Sequence, residues 1–180
     1  MRKIPARFDP GSKWVRYDAK MGLWIPSRKR VFLYWYKFLQ EAEMSDEYQV
    51  DWKKYEGWGG AKVVLNTKFD DWWKERWIDL FGYEGTRDGG FLDGQKPRYY
   101  LSTTRPKANG IRYALMVYQN RHRGGTLEIA DWIVSYEQKR SMLRTSAFQL
   151  PESFERQSRV GRFRMNAHKI LENVSVGVFP

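Results

Sequence analysis

A chain of 180 residues with a net charge of +11 and no cysteine is long enough to bury a core of ordinary size, as one domain or as two small lobes. Lacking cysteine, it has no disulfide, thiolate metal site or cysteine nucleophile, which fits a reducing compartment. Nine Trp, eleven Tyr and ten Phe must fill much of that core or lie exposed as stacking surfaces.

The N-terminal segment, residues 1–30, mixes Pro5, Pro10, Gly11, Gly22 and Pro26 with "KWVRYD" and "GLWIP", a pattern of short extended pieces joined by turns. Its opening residues are basic, but no apolar run follows as in a signal peptide. Trp14 and Trp24 stand among Lys13, Arg16, Lys20 and Arg28, where the rings can stack on bases or clamp the segment to the core. From Ser27 the spacing predicts a central helix buried on most sides, with apolar residues at 31, 32, 35, 38, 39 and 42. The cluster Arg28, Lys29, Arg30 opposes the helix dipole at its start, and phosphate contact is one reason for such a cluster. The apolar run within this helix, Val31 to Tyr36, falls far short of the ~20 residues a membrane helix needs. A soluble, cytoplasmic chain is expected, without a membrane partner.

Ser45, with Asp46 and Glu47 after it, predicts a second helix carrying Tyr48, Trp52 and Tyr55 and stopped by Gly57. "GWGGAKVVLN" reads as a turn and a short strand. Thr67 and Asp70 then form a capping-box-like start to a helix closed by Gly82, with Phe69, Trp73, Trp77, Leu80 and Phe81 on one stripe assigned to packing. The loop from Tyr83 to Pro97 holds four glycines and a proline and separates an aromatic-rich acidic lobe, 31–95, from a basic lobe, 96–180.

The second lobe opens with an expected strand, Arg98 to Thr103. A helix with Ile111, Leu115 and Tyr118 follows, then a glycine turn, then "TLEIADWIVSYEQK" with Leu127, Ile129, Ala130, Ile133 and Val134 inward and Trp132 to the side. "TLEIADWI" looks locally like the first helix of a helix-turn-helix, but a glycine turn about four residues after Ala130 is missing. The segment is therefore read as a core helix, with Arg121, Arg123, Lys139, Arg140 and Arg144 near its ends able to hold phosphates. The last helix is expected from a Ser158 cap, burying Val160, Phe163, Ala167, Ile170 and Leu171 and displaying Arg156, Arg159, Arg162, Arg164 and Lys169. The expected class is mainly α with a few short β-strands (α+β), in a compact helical fold of two small lobes.

Charge is unevenly spread. Residues 1–30 hold nine Lys/Arg against two Asp, residues 31–95 eight basic against thirteen acidic, and residues 96–180 fifteen against six. Concentrated positive charge at both ends attracts a polyanion through counterion release. His122 and His168 lie far apart and form no metal-spaced pair, and no lysine-bearing phosphate loop is present, so neither cofactor nor metal is expected. The leading expectation is a non-catalytic nucleic-acid-binding protein, of DNA or RNA. Two alternatives stay open: an interaction subunit of a ribonucleoprotein or phage- or plasmid-type assembly, docking partners through the acidic middle, and a small metal-dependent nuclease.

Overall fold

A computed structural model of the chain describes residues 15–20, 23–26, 29–81, 83–84, 99, 101, 107–139 and 153–179, with backbone alone at 15–18, 23–26, 78, 83–84 and 153. The chain divides into two compact units, one of Met1–Pro106 together with Asn173–Pro180 and one of Lys107–Glu172.

The first unit is organised by α1 (Lys29–Glu43), whose Val31, Phe32, Tyr34, Trp35, Tyr36, Phe38, Leu39 and Ala42 are all buried. Burial around so much of its circumference follows from the apolar spacing, which leaves little polar face to turn to water. Trp35 lies at the centre, parallel to Phe179 at 5.2 Å and tilted against Trp58 at 5.4 Å. The helix α3 (Phe69–Phe81) begins with Asp70 and Asp71, which suit the positive end of its dipole. Phe69, Trp73, Leu80 and Phe81 are buried as its stripe predicts, Trp77 is half-buried, and Trp72, off that stripe, is fully buried. Trp72 is admitted because its indole N–H donates to the Trp58 carbonyl at 2.9 Å.

Two sequence expectations are corrected in this unit. The helix expected from Ser45 does not form: the Ser45 hydroxyl accepts from the Glu47 amide, a local bond that competes with helix, and Asp51 instead caps a single 3-10 turn, Trp52–Tyr55. The expected strand in "GAKVVLN" is a helix, α2 (Gly60–Asn66). Its β-branched residues favour extended backbone only weakly, and tertiary contacts prevail. Val64 is buried, its carbonyl accepts from Gln40 Nε2 of α1 at 2.7 Å, and Asn66 Nδ2 donates back to the Lys62 carbonyl at 2.8 Å. Gly59 enters this helix at φ 96°, in the left-handed region, where a Cβ would lie 2.8 Å from Val63 Cβ.

The second unit packs α4 (Ala108–Gln119), α5 (Thr126–Lys139) and the greater part of α6 (Ser153–Ser175) around Tyr113, Val117, Ile129, Ala130, Ile133 and Val160. Leu127 and Val134 of α5 are half-buried. A 3-10 turn, Arg121–Arg123, and Gly124 at φ 132° reverse the chain between α4 and α5. The last helix starts at Ser153, before the expected cap at Ser158, with Glu155 in its first turn.

The expected α+β class is overturned: the fold class is α. Helices build the packed core of both units, and among the described residues strands are confined to β1 (Val15–Asp18), β2 (Leu23–Pro26) and β3 (Tyr83–Glu84), an antiparallel ribbon of four, four and two residues that makes no β layer. Of the expected strand Arg98–Thr103, only Tyr99 and Leu101 are described, and neither is in a strand. Among the described residues, no helix is long and apolar enough to cross a membrane.

Candidate nucleic-acid interface

Most of the described basic side chains of the second unit sit at the turn between α4 and α5 or along α6. At the turn, the Arg121 guanidinium lies 4.0 Å above the Tyr118 ring and donates to the Tyr118 carbonyl at 2.9 Å. Arg123 lies 4.8 Å from the Trp132 ring, and its Nε donates to Asn120 Oδ1 at 2.5 Å. Asn120 is itself buried and donates through Nδ2 to the Met116 carbonyl at 2.8 Å, so the Arg123 anchor is fixed from behind. Both arginines remain exposed, as does His122 between them. Cation–π contact holds such guanidinium groups near the surface without neutralising them.

On α6, Arg162 and Lys169 are exposed, while Arg156, Arg159 and Arg164 are half-buried. At 100° per residue, Arg159 and Arg164 fall on opposite flanks of the stripe that buries Val160, Ala167 and Leu171, and Arg162 and Lys169 fall on the outer face. The Nε atoms of Arg159 and Arg164 are buried with no hydrogen-bond partner. Arg156 pairs with Asp131 of α5 at 3.0 Å. Lys139 is exposed in the last turn of α5. Arg121, Arg123, Lys139, Arg159, Arg162, Arg164 and Lys169 have no carboxylate partner among the described residues.

One cation of this unit is committed inward. Arg112 Nη2 donates to Glu137 Oε1 at 2.9 Å, and the Tyr113 hydroxyl donates to the same oxygen at 2.8 Å. Glu137 is fully buried and its Oε2 has no partner. Neither Arg112 nor Glu137 stands out in the sequence, because pairing across two helices leaves no local spacing to read. The ring pair Trp132 and Tyr136, stacked at 5.3 Å and 25°, does have such a signal, a separation of four residues on one helix.

In the first unit, Lys29 and Arg30 begin α1 and are exposed. Lys29 reaches the Asp70 carboxylate and lies over the rings of Phe69 and Trp73 at 5.5 and 6.0 Å. The hydrogen bond from Lys29, and then its charge, hold the Asp70 carboxyl below its usual range. The charge that opposes the α1 dipole is therefore answered within the protein by the first turn of α3. Arg28, Arg140, Arg144 and Trp14 lie outside the described residues, and Trp24 is described only in backbone, in β2.

No group of three or more His, Cys, Asp or Glu gathers as a metal site among the described residues. His168 packs edge-on against Tyr118 at 5.8 Å. Compared with protein-family models, curated proteins and solved structures, the chain matches none of them.

Proposed function

We propose that the Lys107–Glu172 unit binds nucleic acid by its phosphates, through Arg121 and Arg123 at the α4–α5 turn, Lys139 at the end of α5, and Arg159, Arg162, Arg164 and Lys169 around α6. The observation that carries this reading is the surplus of uncommitted cation. Residues 107–172 contain twelve Lys/Arg against six Asp/Glu, and two of those acids, Asp131 and Glu137, are paired with Arg156 and Arg112. With Lys107, eight described cations are left facing no carboxylate. The exposed Arg121, Arg123, Lys139, Arg162 and Lys169 are open to phosphate oxygens, and charge-assisted hydrogen bonds of that kind are among the strong ones. Phosphate contacts position a ligand without reading its bases, so the expected activity is binding, of DNA or RNA, without turnover.

The test is mobility shift with matched single- and double-stranded DNA and RNA at two salt concentrations. Changing Arg159, Arg162 and Arg164 together to Gln should flatten the log–log salt dependence by roughly 0.7 to 0.9 per lost phosphate contact. Changing the exposed Lys53 and Lys54 to Gln should leave binding nearly unaltered. A folded triple variant with the parental affinity and salt slope would refute α6 as the contact surface. The reading in which the acidic middle docks a protein partner has less support, since Trp35, Trp58, Trp72, Tyr36, Tyr55 and Phe81 of that region are spent inside the core. Specific co-purification of one protein would restore it.

A further inference from the structure

We propose that this interface takes nucleic acid with unpaired bases, one of which stacks into a ladder formed by Arg123, Trp132 and Tyr136. The inference rests on the phosphate-binding reading above and adds the ligand class to it. Trp132 is half-buried: it packs against the cluster of Tyr113, Val117, Ile129, Ala130, Ile133 and Val160, which fixes the ring, while part of it stays at the surface. Tyr136, one helical turn on, stacks on it at 5.3 Å and 25°. Arg123 supplies the cationic layer at 4.8 Å, tied to Asn120 so that it is held at the ring rather than free in water. Another ring pair of this unit, Tyr113 and Phe163 at 5.3 Å, lies in and against the buried cluster, whereas Trp132 and Tyr136 are both half-buried on α5.

The charge around the ladder completes the argument. Lys139 lies three residues beyond Tyr136 on the same stripe of α5 and is exposed, and Arg121 and His122 precede Arg123 in the same turn. A cation therefore stands at each end of the two-ring ladder, Arg123 at the Trp132 ring and Lys139 roughly 10 Å beyond Trp132 along α5 by the helical rise per residue. A strand whose phosphates meet those cations presents its bases to the rings between them. Every base has a π face, and rings flanked by arginine take such faces with little regard to sequence. In a duplex those faces are covered by neighbouring pairs, so a ladder on a helix flank reaches only unpaired bases.

The full-length chain is titrated with a thymidine oligomer, an abasic oligomer of equal length and charge, and the corresponding duplex, at one salt concentration. The thymidine strand should bind about 5- to 100-fold more tightly than the abasic strand. Trp132→Ala should bring the ratio of thymidine to abasic affinity close to one, and Trp132→Tyr should restore most of it. Equal binding of the thymidine and abasic strands by the parent would overturn the stacking inference while leaving the phosphate reading intact. Absence of binding to all three would overturn both. If Trp132→Ala keeps the full difference, or weakens both strands equally, the ladder is structural and the inference fails. The parental comparison needs no variant, so a Trp132→Ala protein that does not fold cannot shelter the idea.

Discussion

In the first unit the largest fully buried side chains are Trp35, Trp58, Trp72, Tyr36, Tyr55, Phe38, Phe81 and Phe179, whereas the second buries Tyr113 and Tyr118 among the smaller Val117, Ile129, Ala130, Ile133, Val160 and Ala167. An aromatic interior fills volume with few residues, but its N–H and O–H groups must find acceptors. Trp35 Nε1 donates to the Tyr55 hydroxyl at 3.1 Å, and that hydroxyl donates to the Val174 carbonyl at 2.5 Å. Burial raises the Tyr55 hydroxyl far above its ordinary pKa and lifts that of Tyr36 to about 12. A mostly aliphatic interior makes fewer such demands, and the buried polar side chains of the second unit among the described residues are Asn120 and Glu137, the latter with Arg112 and Tyr113. The contrast separates two uses of the ring: in the first unit it is interior filling, while in the second Trp132 and Tyr136 remain at the edge, beside uncommitted cations.

The largest effect that would break this contrast is at Trp35. Trp35→Ala should lower stability by about 4 to 5 kcal/mol, and Ile133→Val in the second unit by about 1 kcal/mol, both read from denaturant melts. Equal losses would mean that the two cores are not packed on different principles. Next comes the buried pair. Arg112→Leu leaves the Glu137 carboxylate uncompensated and should cost about 3 to 4 kcal/mol, while Arg112→Leu with Glu137→Leu should recover most of it. A double variant as unstable as the single one would show that the carboxylate is satisfied elsewhere.

A smaller effect sharpens the role of the polar handles. Trp72→Phe removes a hydrogen bond and strands the Trp58 carbonyl, so it should cost about 2 kcal/mol. Trp58→Phe deletes an N–H that has no partner and should cost clearly less. Thermal melts that reverse this order would refute the assigned bonds. The smallest effect is at Asp70. Its lowered pKa means that the stabilisation from Lys29 is present above the ordinary carboxylate range and is lost as pH falls through the lowered folded value. Carboxyl titration by NMR should place Asp70 below the ordinary range, and Lys29→Gln should move it up. An unmoved midpoint would separate Lys29 from Asp70 in solution and return it to the pool of free cations.

Periodic features were legible in the sequence. Burial around α1, the stripe of α3 and the inward faces of α4 and α5 each follow from spacing within one helix. What was not legible depended on partners distant in the chain. "GAKVVLN" has strand-forming residues and becomes helical because Gln40 and a burial site for Val64 await it. Trp72 lies off the stripe of its helix, yet a carbonyl fourteen residues earlier admits it. Lys29 looked like a phosphate ligand because Asp70, its partner, is forty-one residues away. Around α6 the arginines were legible as a group, but not the division between those flanking the core and those facing out, since that depends on which side the other helices cover. The extended N-terminal pieces were foreseen; their minor weight in the class of fold was not, because it is set by how little of the core they supply.

The hydrogen bond from Tyr55 to Val174 spans 119 residues of chain, and Phe179, fully buried against Trp35, is more distant still from its partners. Residues Asn173–Pro180 belong with Met1–Pro106, so the whole of the second unit is inserted between the two pieces of the first. During synthesis, α4, α5 and most of α6 leave the ribosome before the first unit has its last aromatic layer. Closing so long a loop slows folding, and the intervening unit, whose contacts are nearer in sequence, has the opportunity to form first. A nascent chain stalled before Asn173 would then present an incomplete aromatic interior to chaperones and proteases, even though most of the protein has already been made.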